Sequence, residues 1–194
     1  MAITAIPGYD YGSVARAPLN LADLDALKQS VLLGDDDVAA LRRTRPVLEP
    51  QVDAILDVWY GFIGAHPFLL GTFAGSDGVP NSHYLASVRK RFGRWILDTA
   101  DADYNQDWLD YQFAIGRRHF RSEKNRTDNV SAAEIVPFRY LFPVVYPVTA
   151  TLKPFLAKAG HAPADVDAMH QAWIKSVLLQ MTLWSYPYVR EGDF

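Results

Sequence analysis

Along most of the chain apolar residues recur at three- and four-residue steps, the spacing that turns one face of an α-helix into a core. Leu21, Leu24, Leu27, Val31 and Leu32 predict a first helix that Asn20 caps and Gly34 stops. Asp35, Asp36 and Asp37 open a second, from Val38 to about Val47. Three aspartates in a row are a candidate cation cluster, but at a helix N-terminus they also suit the free backbone N–H groups and the dipole. Pro50 fits the first turn of a third helix with the stripe Val52, Ile55, Leu56, Trp59, Tyr60 and Ile63. Gly64 and Pro67 break it, Phe68 to Phe73 make a short corner, and a loop follows.

The next stripe, Leu85, Val88, Phe92 and Trp95 or Ile96, predicts a helix from Asn81 to Leu97. Another runs from Asp103 to about Phe120, opened by Asp103 and Gln106 as a capping box. After a polar loop, Ser131 and Glu134 repeat that spacing before a helix reaching about Ala159, which Pro143 and Pro147 should kink. Gly160 ends it. Pro163 starts the last helix, with the stripe Val166, Met169, Trp173, Val177, Gln180 or Met181, and Trp184. No stretch alternates with the period of a strand, so the expected class is all-α.

Composition narrows the function. The 194 residues suit one domain, and 49% apolar with 13% aromatic residues argues against disorder. A net charge of −3 gives no general attraction to nucleic acid or to an anionic membrane. The absence of cysteine removes disulfides and thiolate chemistry. The opening residues lack the pattern of a secretory signal, and no uncharged apolar run approaches the roughly 18–20 residues of a membrane span. A soluble, cytoplasmic protein without a nucleic-acid or membrane partner is expected. No glycine-rich phosphate loop, nucleophile elbow or zinc-protease motif is present. Residues 1–18, with Tyr9 and Tyr11 among Pro7, Gly8, Gly12 and Pro18, read as an ordered arm.

The stretch from Asp103 to Arg121 carries the most specific chemistry. Trp108, Tyr111 or Gln112, Ile115 and His119 share one helix face, which places an imidazole at the end of an apolar stripe. Such a histidine is commonly a satisfied core residue, and the alternative is an iron ligand in a haem pocket. Gly116 leaves room for something flat to approach the backbone. Of the other four histidines, His66 precedes a proline, His161 lies in a turn and His83 faces away from Phe92. His170 is the rival. Tyr60 is either a core phenol bonded to a carbonyl or a donor to a small ligand. The basic cluster Arg117, Arg118, Arg121, Lys124 and Arg126 is either a solvated helix end or, with Arg91 or Arg94, a partner for haem propionates.

The motifs IPGYDYG, LDVWYGFIGAHP, RKRFGRWILDT, WLDYQFAIGRRH, TDNV, YPVTATLKPFLAKAGH and WSYPYV occur in that order, and with them essentially the whole chain resembles protoglobin. This resemblance implies a globin fold, a three-over-three helical sandwich with an extra N-terminal helix (20–33) and an arm (1–18) before a core at 35–187. It implies haem b, with His119 as the iron ligand. Trp59, Tyr60 and Phe92 would meet the gas. Phe73, Val88, Phe92, Leu141, Val144 and Val148 would line the haem, and Arg91 would join the cofactor site. It further implies reversible binding of O2, CO or NO as sensor or carrier, and a homodimer through the last two long helices. The alternative is a haem enzyme converting reactive nitrogen or oxygen species, with a capacity for carbene transfer. Two positions depart from the pattern: Phe120 stands where relatives often carry a second histidine, and Val144 where a larger aromatic is common.

Overall fold

A computed structural model describes residues 6–194, so Met1 to Ala5 of the expected arm lie outside the described residues. The described chain is helical, and its only sheet-like pairing is one isolated bridge between Ala74 and Pro80. Helix α1 (Leu21–Ser30) is capped by Asn20, whose side chain accepts from Ala22 and Asp23 while Asp23 reaches back. It ends at Ser30, before the glycine expected to stop it. Leu32 takes the left-handed turn (φ 53°), and Gly34 is instead the N-cap of α2 (Asp35–Leu48). The three aspartates open α2. Asp37 accepts from Gly34 N (3.0 Å) and pairs with Lys175 (2.9 Å), which gives it structural work.

Pro50 sits in a 3₁₀ turn that passes the chain into α3 (Val52–Ala65). The corner contains α4 (Pro67–Leu70). Helix α5 (Ser82–Asp101), capped by Asn81, extends four residues beyond the expected Leu97. Helix α6 (Gln106–His119) starts later than expected. Asn105 caps it by accepting from Trp108 N (2.9 Å), while Asp103 pairs with Arg42 (3.2 Å).

The stretch after the polar loop differs most from expectation. Ser131 and Glu134 cap nothing. Ala133 N donates to Ala74 O and Glu134 pairs with Arg121 (3.0 Å). What was expected as one kinked helix is three pieces, α7 (Phe138–Leu141), α8 (Val145–Ala150) and α9 (Lys153–Ala157). Pro143, Pro147 and Pro154 each remove a backbone donor, so the ladder cannot run through.

Helix α10 (Pro163–Ser185) is the long element against which the rest assembles. It packs on α2, α6, α8 and α9, and touches α5. Its predicted stripe is the core: Met169 and Trp173 are fully buried, and Val166, Val177, Met181 and Trp184 nearly so. Gly93 lets α5 close onto α3, since a Cβ there would meet Val52 Cγ1 at 3.0 Å. Among the described residues no single helix is long and apolar enough to cross a membrane.

Candidate functional site

A cavity of about 290 Å³ lies inside the helices, close to the lower end of the roughly 300–1,000 Å³ usual for small-molecule sites. Each of the ten side chains named from the sequence, Trp59, Tyr60, Phe73, Val88, Arg91, Phe92, His119, Leu141, Val144 and Val148, lines it. They come from α3, the corner, α5, α6 and the broken stretch α7–α8, and most of the lining is apolar.

His119 is the last residue of α6, because Phe120 turns extended (φ −108°, ψ 164°). Tyr188 pins that end by donating to the carbonyls of His119 (2.9 Å) and Val136 (2.8 Å). The imidazole Nδ1 lies 2.9 Å from Ile115 O. A carbonyl only accepts, so Nδ1 carries the proton. Burial pushes the ring's pKa down, which keeps it neutral. The lone pair is therefore on Nε2, for which the described residues supply no hydrogen-bond partner. A neutral imidazole oriented through its other nitrogen is the form that binds metals. The ring also stacks on Trp184 (5.2 Å between centroids, 19° between planes), whose Nε1 donates to Gln112 Oε1 (2.7 Å).

The rival histidines are elsewhere. His170 donates through Nε2 to Thr149 O (2.8 Å), His66 through Nδ1 to Phe62 O (2.7 Å), and none of His66, His83, His161 or His170 lines the cavity. Gly116 does not admit a flat ligand as expected. A Cβ there would meet Trp184 Cα at 2.9 Å and Trp184 O at 3.0 Å, so its bare backbone is covered by α10. The periodic stripe of α10 marked Trp184 as buried, but no local signal marks it as the wall behind His119.

On the α3–α5 side Trp59 lies on Phe92 (4.8 Å) and donates through its indole N–H to Thr151 Oγ1 (2.9 Å). That donor is therefore committed. Tyr60 Oη is different: it is buried and has no partner among the described residues. Burial raises its pKa, so the phenol keeps its proton. Leaving a buried hydroxyl unpaired costs on the order of 1–3 kcal/mol. Such a group is expected where a ligand completes the bond.

The polar part of the lining gathers under the N-terminal arm. Arg91 forks onto Asp128, with Nη1 to Oδ1 at 2.9 Å, and also donates to Pro7 O (2.9 Å). Arg118 donates to Gly8 O and to Asp10 (3.0 Å). Gly8 takes φ 73° and lies so close to Thr127 and Arg91 that a Cβ would reach Thr127 Cγ2 at 2.5 Å. Tyr9 donates to Asp98 (2.9 Å) and packs edge-on against Tyr111 (5.3 Å). Burial raises the Asp98 carboxyl to about 6 despite Arg94 beside it. The described part of the arm is thus strapped across this end of the cavity. Lys124, buried at 4% exposure, completes the polar lining, and burial lowers its pKa to about 8.

The family model for protoglobin matches residues 20–194. A comparison with curated proteins finds no match. Among solved structures, the globin domain of a Geobacter sulfurreducens globin-coupled sensor is similar in fold. Its TM-score is 0.67 at 14% identity, over 86% of this chain and 97% of that one.

Proposed function

This chain belongs to the protoglobin family, and from that premise we propose that it is a haem b globin that reversibly binds O2, CO or NO, with His119 as the protein's ligand to the iron. The family implies a haem cofactor and gas binding; the residue roles and the particular gases are the proposal. One observation carries it: a neutral imidazole with a free Nε2 and an unpartnered Tyr60 hydroxyl line the same apolar cavity. When bound, haem supplies an iron centre with a coordination position for a diatomic gas.

The chain's own residues divide the remaining work. Ile115 O and the Trp184 ring hold the His119 plane, and Tyr188 fixes the helix end that carries it. Trp59, Phe92, Val88 and Phe73 would exclude water. Tyr60 would donate to a polar guest. A peroxidase-like reading draws no support from the lining, where the acid–base pair it needs is missing. Asp128 is locked to Arg91, and the histidine present is the proposed ligand.

Protein purified with haem, then reduced with dithionite and exposed to CO, should show a five-coordinate ferrous spectrum that shifts on CO addition. Colourless protein that takes up no added haem would overturn the proposal. Replacing Tyr60 with phenylalanine should speed O2 escape roughly two- to tenfold, the equivalent of about 0.5–1.5 kcal/mol for one neutral hydrogen bond. CO, a poor acceptor, should leave at an almost unchanged rate. Flash photolysis and stopped-flow displacement read both, and equal acceleration of the two gases would remove Tyr60 from the donor role.

A further inference from the structure

The basic side chains at the polar end of the cavity are not equivalent. Arg91 is answered by Asp128, which is itself nearly inaccessible, and both ends of the guanidinium are occupied. Arg118 is answered by Asp10, although its Nε is buried without a partner. Lys124 has no carboxylate within ion-pair distance among the described residues. Its Nζ donates to Thr72 O (2.7 Å) and sits over the Tyr84 ring at 5.1 Å. Tyr84 in turn donates to the backbone carbonyl of Lys124 (3.2 Å), which holds the segment in place.

A buried ammonium with one carbonyl and one aromatic face for company is under-compensated, because burial of a charge is tolerated when an opposite charge meets it. Its lowered pKa records the same shortage. Lys124 and Arg118 both line the cavity, most of whose remaining wall is apolar, and the carboxylate in that wall, Asp128, is already taken by Arg91. The missing partner is therefore an anion attached to an apolar body.

Resting on the haem reading above, we propose that Lys124 receives a propionate carboxylate of the porphyrin, with Arg118 Nε as a second donor, while Arg91 acts as a strut that ties Asp128 to the arm. Arg91 still borders the site, but its fork is spent. The ammonium is a point charge with three donors, so it can keep donating to Thr72 O and donate to a carboxylate as well. The arm, through Gly8 O on Arg118 and Pro7 O on Arg91, then closes over the same carboxylate end.

The test uses iron-free porphyrins, which leave the imidazole–iron bond out of the measurement. Apoprotein is titrated with protoporphyrin IX and with its dimethyl ester, and binding is read from quenching of tryptophan fluorescence. Wild type should prefer the diacid by about tenfold or more, as expected for a charge-assisted hydrogen bond. Lys124→Met should lose that preference by weakening the diacid alone, and Lys124→Arg should retain most of it. Equal affinity of wild type for acid and ester would overturn the proposal without any variant. A Lys124→Met protein that loses both porphyrins equally would also overturn it, since that marks a merely structural lysine. Wild type that binds neither porphyrin would overturn this proposal as well, and the haem reading falls with it only if the same protein takes up no added haem.

Discussion

Replacement of His119 by alanine should abolish stable haem retention. The expectation follows from where the ring nitrogens are spent. Nδ1 is engaged by Ile115 O, so the neutral ring offers Nε2 alone. No second imidazole can substitute, because the other four histidines do not line the cavity and the rival on an apolar helix face, His170, is committed to Thr149 O. The variant should fold, since truncation at a helix end beside a cavity removes few core contacts. It should purify without a Soret band and bind added haem weakly and non-specifically. Added imidazole should restore part of the absorbance by entering the vacated space. Absorbance titration with hemin, alongside a melting curve that establishes folding, checks this. A folded variant with an unchanged Soret band and unchanged affinity would show that the iron is held by something else.

The second large effect is on stability. Gly116→Ala should destabilise the protein although alanine is the better helix former. In an exposed helix the exchange would gain about 1 kcal/mol. Here the new methyl would lie 2.9 Å from Trp184 Cα and 3.0 Å from Trp184 O, and backbone cannot swing aside as a side chain can. Helix α10 would have to move, and overpacking of that kind costs about 1–3 kcal/mol. The net expectation is a loss of up to about 2 kcal/mol, which for a chain of this size lowers the melting temperature by up to about 8 °C. Thermal unfolding by circular dichroism decides it. A variant as stable as wild type would mean that α6 and α10 do not approach so closely. Because Trp184 backs His119, the same substitution should also broaden the haem spectrum.

The amphipathic stripes of α3, α5, α6 and α10 were legible because helical periodicity is a local property. Trp59, Trp108, Trp173 and Val177 are inside for the reason their spacing predicts. The members of the cavity were legible too, but as a resemblance: nothing local in Phe73 or Val148 says that they meet His119. Capping was read less well. Asn105 and Asp103 are both plausible caps, and Arg42, sixty-one residues before Asp103, takes Asp103 out of contention. Ser131 and Glu134 have the right spacing, yet Arg121 and Ala74 use that segment first. The proline-rich run was expected to bend and instead breaks, as three missing donors close together leave no ladder to bend.

By itself, then, the sequence determined an all-helical chain, the faces of its long helices and a histidine at the end of an apolar stripe, since each depends on residues within a few turns of one another. Tertiary structure decided that α10 rather than a ligand covers Gly116, that Trp59 spends its donor while Tyr60 keeps one, and that Lys124, among the described residues, is left without an opposite charge. These depend on partners tens of residues away. A hydrogen bond or an ion pair is used up by whichever group arrives, and spacing along the chain does not record the arrival.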